Sequence, residues 1–119
     1  MIIKGKTKYK ENKEIEIRNL GKDILFVYCS AQYLTEIDFA DNNVVKELYC
    51  NYNYLTQLNL PDSIEILHCW DNPLKEITLP KNIKTAILPL NCNVLNLDEF
   101  KNRKDIMIYF LPNDKSISI

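Results

Sequence analysis

Leu48–Pro80 reads LYCNYNYLTQLNLPDSIEILHCWDNPLKEITLP, and its second half restates its first. Leu48, Cys50, Asn53, Leu55, Leu58, Leu60 and Pro61 return as Leu67, Cys69, Asn72, Leu74, Ile77, Leu79 and Pro80, nineteen residues later. Matched positions at a fixed short period mark a repeat array, in which each unit buries its apolar side only against its neighbours.

Extended outward, a Leu-x-x-Leu-x-Leu-x-x-Asn-x-Leu template finds four starts: Ile24, Val45, Ile64 and Ile83, spaced 21, 19 and 19 residues. Its fourth position holds Val27, Leu48, Leu67 and Ala86, and its sixth Cys29, Cys50, Cys69 and Leu88. The ninth holds Gln32, Asn53, Asn72 and Asn91, and the eleventh Leu34, Leu55, Leu74 and then Asn93. Nineteen residues allow a short strand and a return segment. Pro61 and Pro80 remove backbone donors from that return, so an extended or 3₁₀ path fits and a full helix does not.

These columns resemble the leucine-rich repeat family over roughly Ile24 to Cys92. The similarity is closest to its short variety, known from bacterial effector proteins, in which a Leu-Pro-x-x-Leu turn leads into each strand; here that turn reads LPDSI and LPKNI. The resemblance implies a curved solenoid with one parallel strand per repeat on the concave side. The fold expected is a mostly β repeat solenoid of the α/β-superhelix class with about four or five short strands, capped at both ends. Residues 1–23 would form the N-terminal cap with a half repeat, 24–97 the repeats and 98–119 the C-terminal cap. In the first of these, IIKGKTKYK alternates and can pair as a hairpin with the segment bearing Ile15 and Ile17. Ile106–Leu111 reads as a further strand after a helical turn near Asp98–Lys104.

The fourth repeat departs from the pattern, with Asn93, Asn96 and Asp98 where apolar residues belong. A register that starts at Ile87 would restore a cysteine, Cys92, to the sixth position but lose the asparagine. The register from Ile83 keeps the Pro-x-x-Ile spacing on both sides and is preferred.

With 119 residues there is room for one domain. A net charge of −1 gives no electrostatic case for nucleic acid or an anionic membrane. The longest apolar run, Ile24–Tyr28, is too short to span a bilayer. Charges at every second residue of MIIKGKTKYK leave no signal-peptide core. An intracellular, cytoplasmic location is therefore expected (a host's cytoplasm for an effector or viral protein), with reduced thiols.

Strand alternation sends the fourth and sixth positions inward and the third, fifth and seventh outward. Cys29, Cys50 and Cys69 thus form one inward column of small hydrophobes. No CxxC pair is present, and three thiols in file lack the convergence of a zinc site, so no metal or cofactor is expected. An intermolecular disulfide through Cys92 is the least unfavourable redox alternative. Asn53, Asn72 and Asn91 read as a buried amide ladder serving backbone groups where strands end, with Asn72→Leu costing about 1–3 kcal/mol.

The outward columns carry Phe26, Glu47, Ile66 and Thr85, then Tyr28, Tyr49, His68 and Ile87, then Ser30, Asn51, Trp70 and Pro89, with Tyr52 and Asp71 beyond. So many aromatics on one sheet suit a protein interface, because large rigid side chains lose little entropy on binding. Tyr28, Glu47, Tyr49, Asn51, Tyr52, Ile66, His68, Trp70 and Asp71 are the expected partner-binding residues. The plainer alternative is that terminal segments cover the patch, or that it or a free strand edge drives self-association. Enzymatic chemistry has little to build on. His68 is the only histidine and points away from Cys69, Ser30 has no evident oxyanion donors, and with Gly5 and Gly21 alone no phosphate loop can form. The ubiquitin-ligase domain that often follows such repeats in effectors has no room in this chain.

Overall fold

The computed structural model describes residues 3–19, 25–40 and 44–113; the repeat start at Ile24 and the last segment, from Asp114, lie outside them. The chain winds into a mostly β solenoid of about four turns. Its strands are β1 (Ile3–Thr7), β2 (Lys13–Ile15), β3 (Ile17–Asn19), β4 (Leu25–Tyr28), β5 (Leu34–Asp38), β6 (Val45–Tyr49), β7 (Ile66–His68), β8 (Glu76–Ile77), β9 (Thr85–Pro89), β10 (Asn93–Val94) and β11 (Met107–Leu111). A six-stranded sheet in the order β11-β9-β7-β6-β4-β3 forms one wall. Its last five strands in chain order are mutually parallel, one per coil, and β3 closes the N-terminal edge antiparallel to β4.

Register follows the template. Val27 lies beside Leu48, Leu48 beside Leu67 and Leu67 beside Ala86, so the fourth coil takes the register that starts at Ile83. Inward residues are sealed: Val27, Leu48, Leu67 and Ala86 in one column, and Cys29, Cys50, Cys69 and Leu88 in the next, are all fully buried. Burying each larger side chain contributes about 1.5–3 kcal/mol before entropy is subtracted. The return segments Leu55–Leu60 and Leu74–Leu79 hold no helix and send Leu55, Leu58, Leu74, Ile77 and Leu79 into the same core.

At the N-terminal end, β1 lies antiparallel between β2 and β5, which includes the hairpin read from the sequence and extends the cap over the first return. Gly5 sits where a Cβ would lie 2.8 Å from the Glu36 carbonyl and 3.0 Å from methyls of Ile15 and Leu34. The strands approach too closely there for any side chain.

The fourth coil returns early. Ile77 pairs with Val94 seventeen residues on, although Leu67 and Ala86 in the main sheet are nineteen apart. The loop from Leu90 is therefore two residues short. Val94 fills the core beside Ile77, where the template would place Asn96, and Phe100 follows from a 3₁₀ turn at Leu97–Phe100. The segment expected as the C-terminal cap then adds β11 as a fifth parallel strand, with Ile108 beside Ala86 and Phe110 beside Leu88.

Candidate functional site

The site is built from two layers, an amide ladder that fixes the ends of the strands and a row of rings on the open face of the sheet. In the ladder, Asn53 Oδ1 accepts the N–H groups of Leu34 (2.8 Å) and Gln32 (3.0 Å), and its Nδ2 donates to the carbonyls of Cys29 and Cys50 (both 2.9 Å). Asn72 repeats this one coil on, accepting from the Leu55 N–H (2.9 Å) and donating to the carbonyls of Cys50 and Cys69 (both 3.0 Å). Both are buried, and with longer bonds from Nδ2 to the carbonyls of Asn51 (3.3 Å) and Trp70 (3.4 Å), Asn53 holds five backbone groups and Asn72 four where the strands end.

The expected third rung is not part of this ladder. Asn91 is exposed, because the shortened loop carries it past the place its predecessors occupy. Asn96 takes over a similar duty further along, with Oδ1 accepting the Leu79 N–H and Nδ2 donating to the Leu79 carbonyl (both 2.9 Å).

The residue before each ladder asparagine, or in its place, is the one that turns the chain. Ala31, Tyr52 and Asp71 all adopt left-handed backbone, with φ of 56°, 59° and 55°. Such a conformation costs a non-glycine residue on the order of 1–3 kcal/mol, and for a bulky aromatic like Tyr52 it is rare. Sequence reading missed this, since no glycine or asparagine flags the column. The turn directs the ninth side chain inward to the ladder and leaves the eighth, Tyr52 or Asp71, half-exposed.

The outward columns form a continuous aromatic row. Tyr28 stacks on Tyr49 with ring centres 4.9 Å apart and planes 2° from parallel. His68 meets the other side of Tyr49 edge-on at 4.7 Å, and Phe26 meets Tyr28 at 6.3 Å. A second pair, Tyr52 and Trp70, packs edge-on at 4.6 Å. The register of the parallel strands places Tyr28, Tyr49 and His68 on equivalent positions of adjacent strands, where such pairs add about 0.5–1.5 kcal/mol beyond area burial. The Tyr49 hydroxyl donates to Glu47 Oε1, and Ser30 Oγ donates to Asn51 Oδ1 (2.9 Å). Ile66 lies beside Glu47 across the strands. All nine residues expected to bind a partner reach solvent, and Tyr28 is 36% exposed. Pro89 does not share the open face; it is buried in β9 with Leu111 paired beside it.

Burial lowers the His68 pKa below 6.5 despite the nearby Glu47 carboxylate, so the ring is neutral at pH 7. Burial and the Glu47 hydrogen bond raise the Tyr49 hydroxyl, which stays a donor. Behind the sheet, burial pushes the Cys29 thiol up to about 12 and raises Cys50 and Cys69 as well, which makes the column inert toward thiolate chemistry. Cys92 is buried too, and so is not placed for a disulfide to another chain. Among the described residues no three His, Cys, Asp or Glu side chains converge on a metal position. A groove of about 880 Å³ runs along the return side between Thr56–Leu60 and Lys75–Pro80, and shares no residue with the aromatic row. Among the described residues no helix is long and apolar enough to cross a membrane.

Compared with family models, curated proteins and solved structures, the chain matches none.

Proposed function

We propose that this chain is a small non-enzymatic recognition module of the leucine-rich-repeat type, acting inside a cell and binding another protein through the open face of its parallel sheet. The observation that carries the reading is the packed row Phe26–Tyr28–Tyr49–His68 with Tyr52–Trp70 beside it. Rings held by their neighbours lose little freedom when a partner lands on them, and such anchors dominate interface energies. The test is affinity capture from lysate, together with selection from a random peptide library, using the wild type and a Tyr49→Ala, Trp70→Ala double variant. Ligands recovered by the wild type and lost by the double variant support the reading. The same ligands recovered by both defeat it.

A second reading has its own observation. Among the described residues β11 is an uncharged edge strand, on which Met107 is 52% and Tyr109 49% exposed, with Phe110 and Leu111 also exposed. An apolar edge with unpaired backbone groups is a template for another strand. Its sequence, MIYFL, is self-complementary about Tyr109 under a two-fold axis, which favours a second copy as the occupant. Sedimentation that shows a dimer for the wild type and a monomer for Tyr109→Lys supports this. A wild-type monomer at all concentrations excludes it.

A further inference from the structure

On the return side of the solenoid the hydrogen-bond ladder is made between one pair of coils and missing between the pair before. Between the third and fourth returns, the Asn93 N–H donates to the Lys75 carbonyl and the Leu95 N–H to the Ile77 carbonyl (both 2.8 Å), and Asn96 bonds Leu79 through both ends of its amide. Between the second and third returns no such bond forms. Among the described residues, no N–H or carbonyl of Thr56–Leu60 has a hydrogen-bond partner. The two returns are nevertheless tied at both ends, by Asn72 Oδ1 accepting the Leu55 N–H (2.9 Å) and by Asn82 Nδ2 donating to the Asp62 carbonyl (2.9 Å).

Alternation decides where those groups point. In a parallel ladder, successive residues address opposite neighbours. Lys75, Ile77 and Leu79 turn to the fourth coil, so Glu76 and Thr78 turn their N–H and carbonyl groups toward the second. Thr56, Leu58 and Leu60 stand nineteen residues before Lys75, Ile77 and Leu79, and Thr56–Leu58 repeat the exposed, exposed, buried pattern of Lys75–Ile77. They therefore turn theirs toward the third coil. Two rows of unpaired donors and acceptors thus face each other across the groove of about 880 Å³. A five-residue strand, at roughly 3.3 Å per residue, 4.8 Å between neighbours and 10 Å between packed layers, fills about 800 Å³.

The lining narrows the chemistry. Leu58, Ile77 and Leu79 border the groove but are already buried, so it offers little apolar surface. Asp62 pairs with Lys81 (3.9 Å), and the rim otherwise carries one cation, Lys75, and one anion, Glu76, so neither sign of charge is favoured. We infer that the groove takes an extended, uncharged segment of another polypeptide as an added strand, bonded along both edges, with Gly, Ala or Ser wherever its side chains meet the filled core. In such strand addition the main-chain bonds supply affinity and the room for alternate side chains supplies selection. The groove shares no residue with the aromatic row, so this binding is separate from recognition on the open face.

The experiment selects seven-residue peptides from a random library on the full chain and reads hydrogen exchange at single amides. Peptides that enter the groove are expected to slow exchange of the Leu58, Leu60, Glu76 and Thr78 N–H groups, and to carry Gly, Ala or Ser at every second position. Each such peptide is then made with N-methyl groups on its even-numbered amides and, separately, on its odd-numbered ones. Alternate N–H groups of a strand point to opposite edges, so each form loses its donors to one row and keeps those to the other. Both forms are expected to bind about tenfold more weakly than the parent, a few lost hydrogen bonds together giving that factor. If only one form is weakened, the peptide adds to a single edge and the inference fails. It fails too if neither form is weakened, or if no selected peptide slows those four amides.

Discussion

The second and third coils repeat each other every nineteen residues, whereas the fourth turns back two residues sooner. All three bury the same inward columns, so apolar patterning is common to them. What differs is the amide. Asn53 holds five backbone groups and Asn72 four, while Asn91 faces solvent and, among the described residues, the Leu74 N–H receives no asparagine oxygen of the kind that Leu34 and Leu55 receive. Loop length, more than the leucines, decides whether an asparagine becomes part of the structure.

The strongest way to break that comparison is Asn72→Leu. It strands the Leu55 N–H and removes a donor from the carbonyls of Cys50 and Cys69, at about 1–3 kcal/mol for each buried group left unpaired. A total loss of about 3 kcal/mol or more is expected from urea unfolding, above the range suggested by the sequence alone. A loss below about 1 kcal/mol would show that the ladder is incidental to the fold.

Position along the solenoid gives the next test. Leu67 and Ile108 belong to the same inward column, but Leu67 is fully buried and Ile108 only half-buried on the exposed edge strand. Leu67→Ala is expected to cost about 2–5 kcal/mol and Ile108→Ala about 1 kcal/mol. Equal losses would mean that β11 is covered as fully as the interior strands, which would also weaken the case for self-association.

Much of this was legible in the sequence. The strands β6, β7 and β9, their register, the buried thiol column and the outward aromatics all followed from a repeat with invariant spacing, because side-chain alternation converts spacing into sidedness. The fourth return was not legible. Asn91 matches the template as well as Asn72 does, and only the pairing of Val94 with Ile77 exposes the missing two residues. The left-handed eighth position was hidden for a different reason. Ala31, Tyr52 and Asp71 share no chemistry, so a backbone requirement common to all three leaves no compositional trace. Glu47 was read as an outward residue, but its bond from Tyr49, two positions along the same strand, needed coordinates.

That hidden requirement predicts a gain. Ala31→Gly removes the Cβ from a left-handed, exposed position with no ring contact to lose, and is expected to stabilise by up to about 1 kcal/mol, the relief of strain being partly offset by glycine's greater freedom when unfolded. Tyr52→Gly relieves the same strain but forfeits the packing against Trp70, so it should not stabilise. A melting temperature lowered by Ala31→Gly would contradict the strain argument.

A smaller effect follows from pH. The folded-state pKa of His68 lies below its ordinary 6.5, because burial disfavours the charged ring. Stability is therefore undiminished by this group above about pH 6.5 and declines as pH falls through that value toward the lower folded pKa, where the unfolded chain binds the proton first. Melting temperature should fall between pH 7.5 and 5.5, and His68→Gln should flatten that part of the profile. An unchanged slope in the variant would assign the pH dependence to other groups.

The smallest expected effect is also the sharpest control on the opening contrast. Asn91 and Asn72 occupy the same template position, carry the same side chain and follow strands in register, so any explanation from residue type alone predicts equal losses on substitution. Asn91 is exposed, and surface substitutions away from caps and strained backbone usually fall within about 0.5 kcal/mol. Asn91→Leu is therefore expected to leave the urea midpoint nearly where it was, against the large shift for Asn72→Leu. A loss comparable to that of Asn72→Leu would mean that Asn91 holds backbone groups after all, and that the fourth coil returns at the full nineteen residues in solution. A near-zero shift fixes the end of the ladder at Asn72 and makes the two-residue shortening the physical boundary between the regular coils and those that follow.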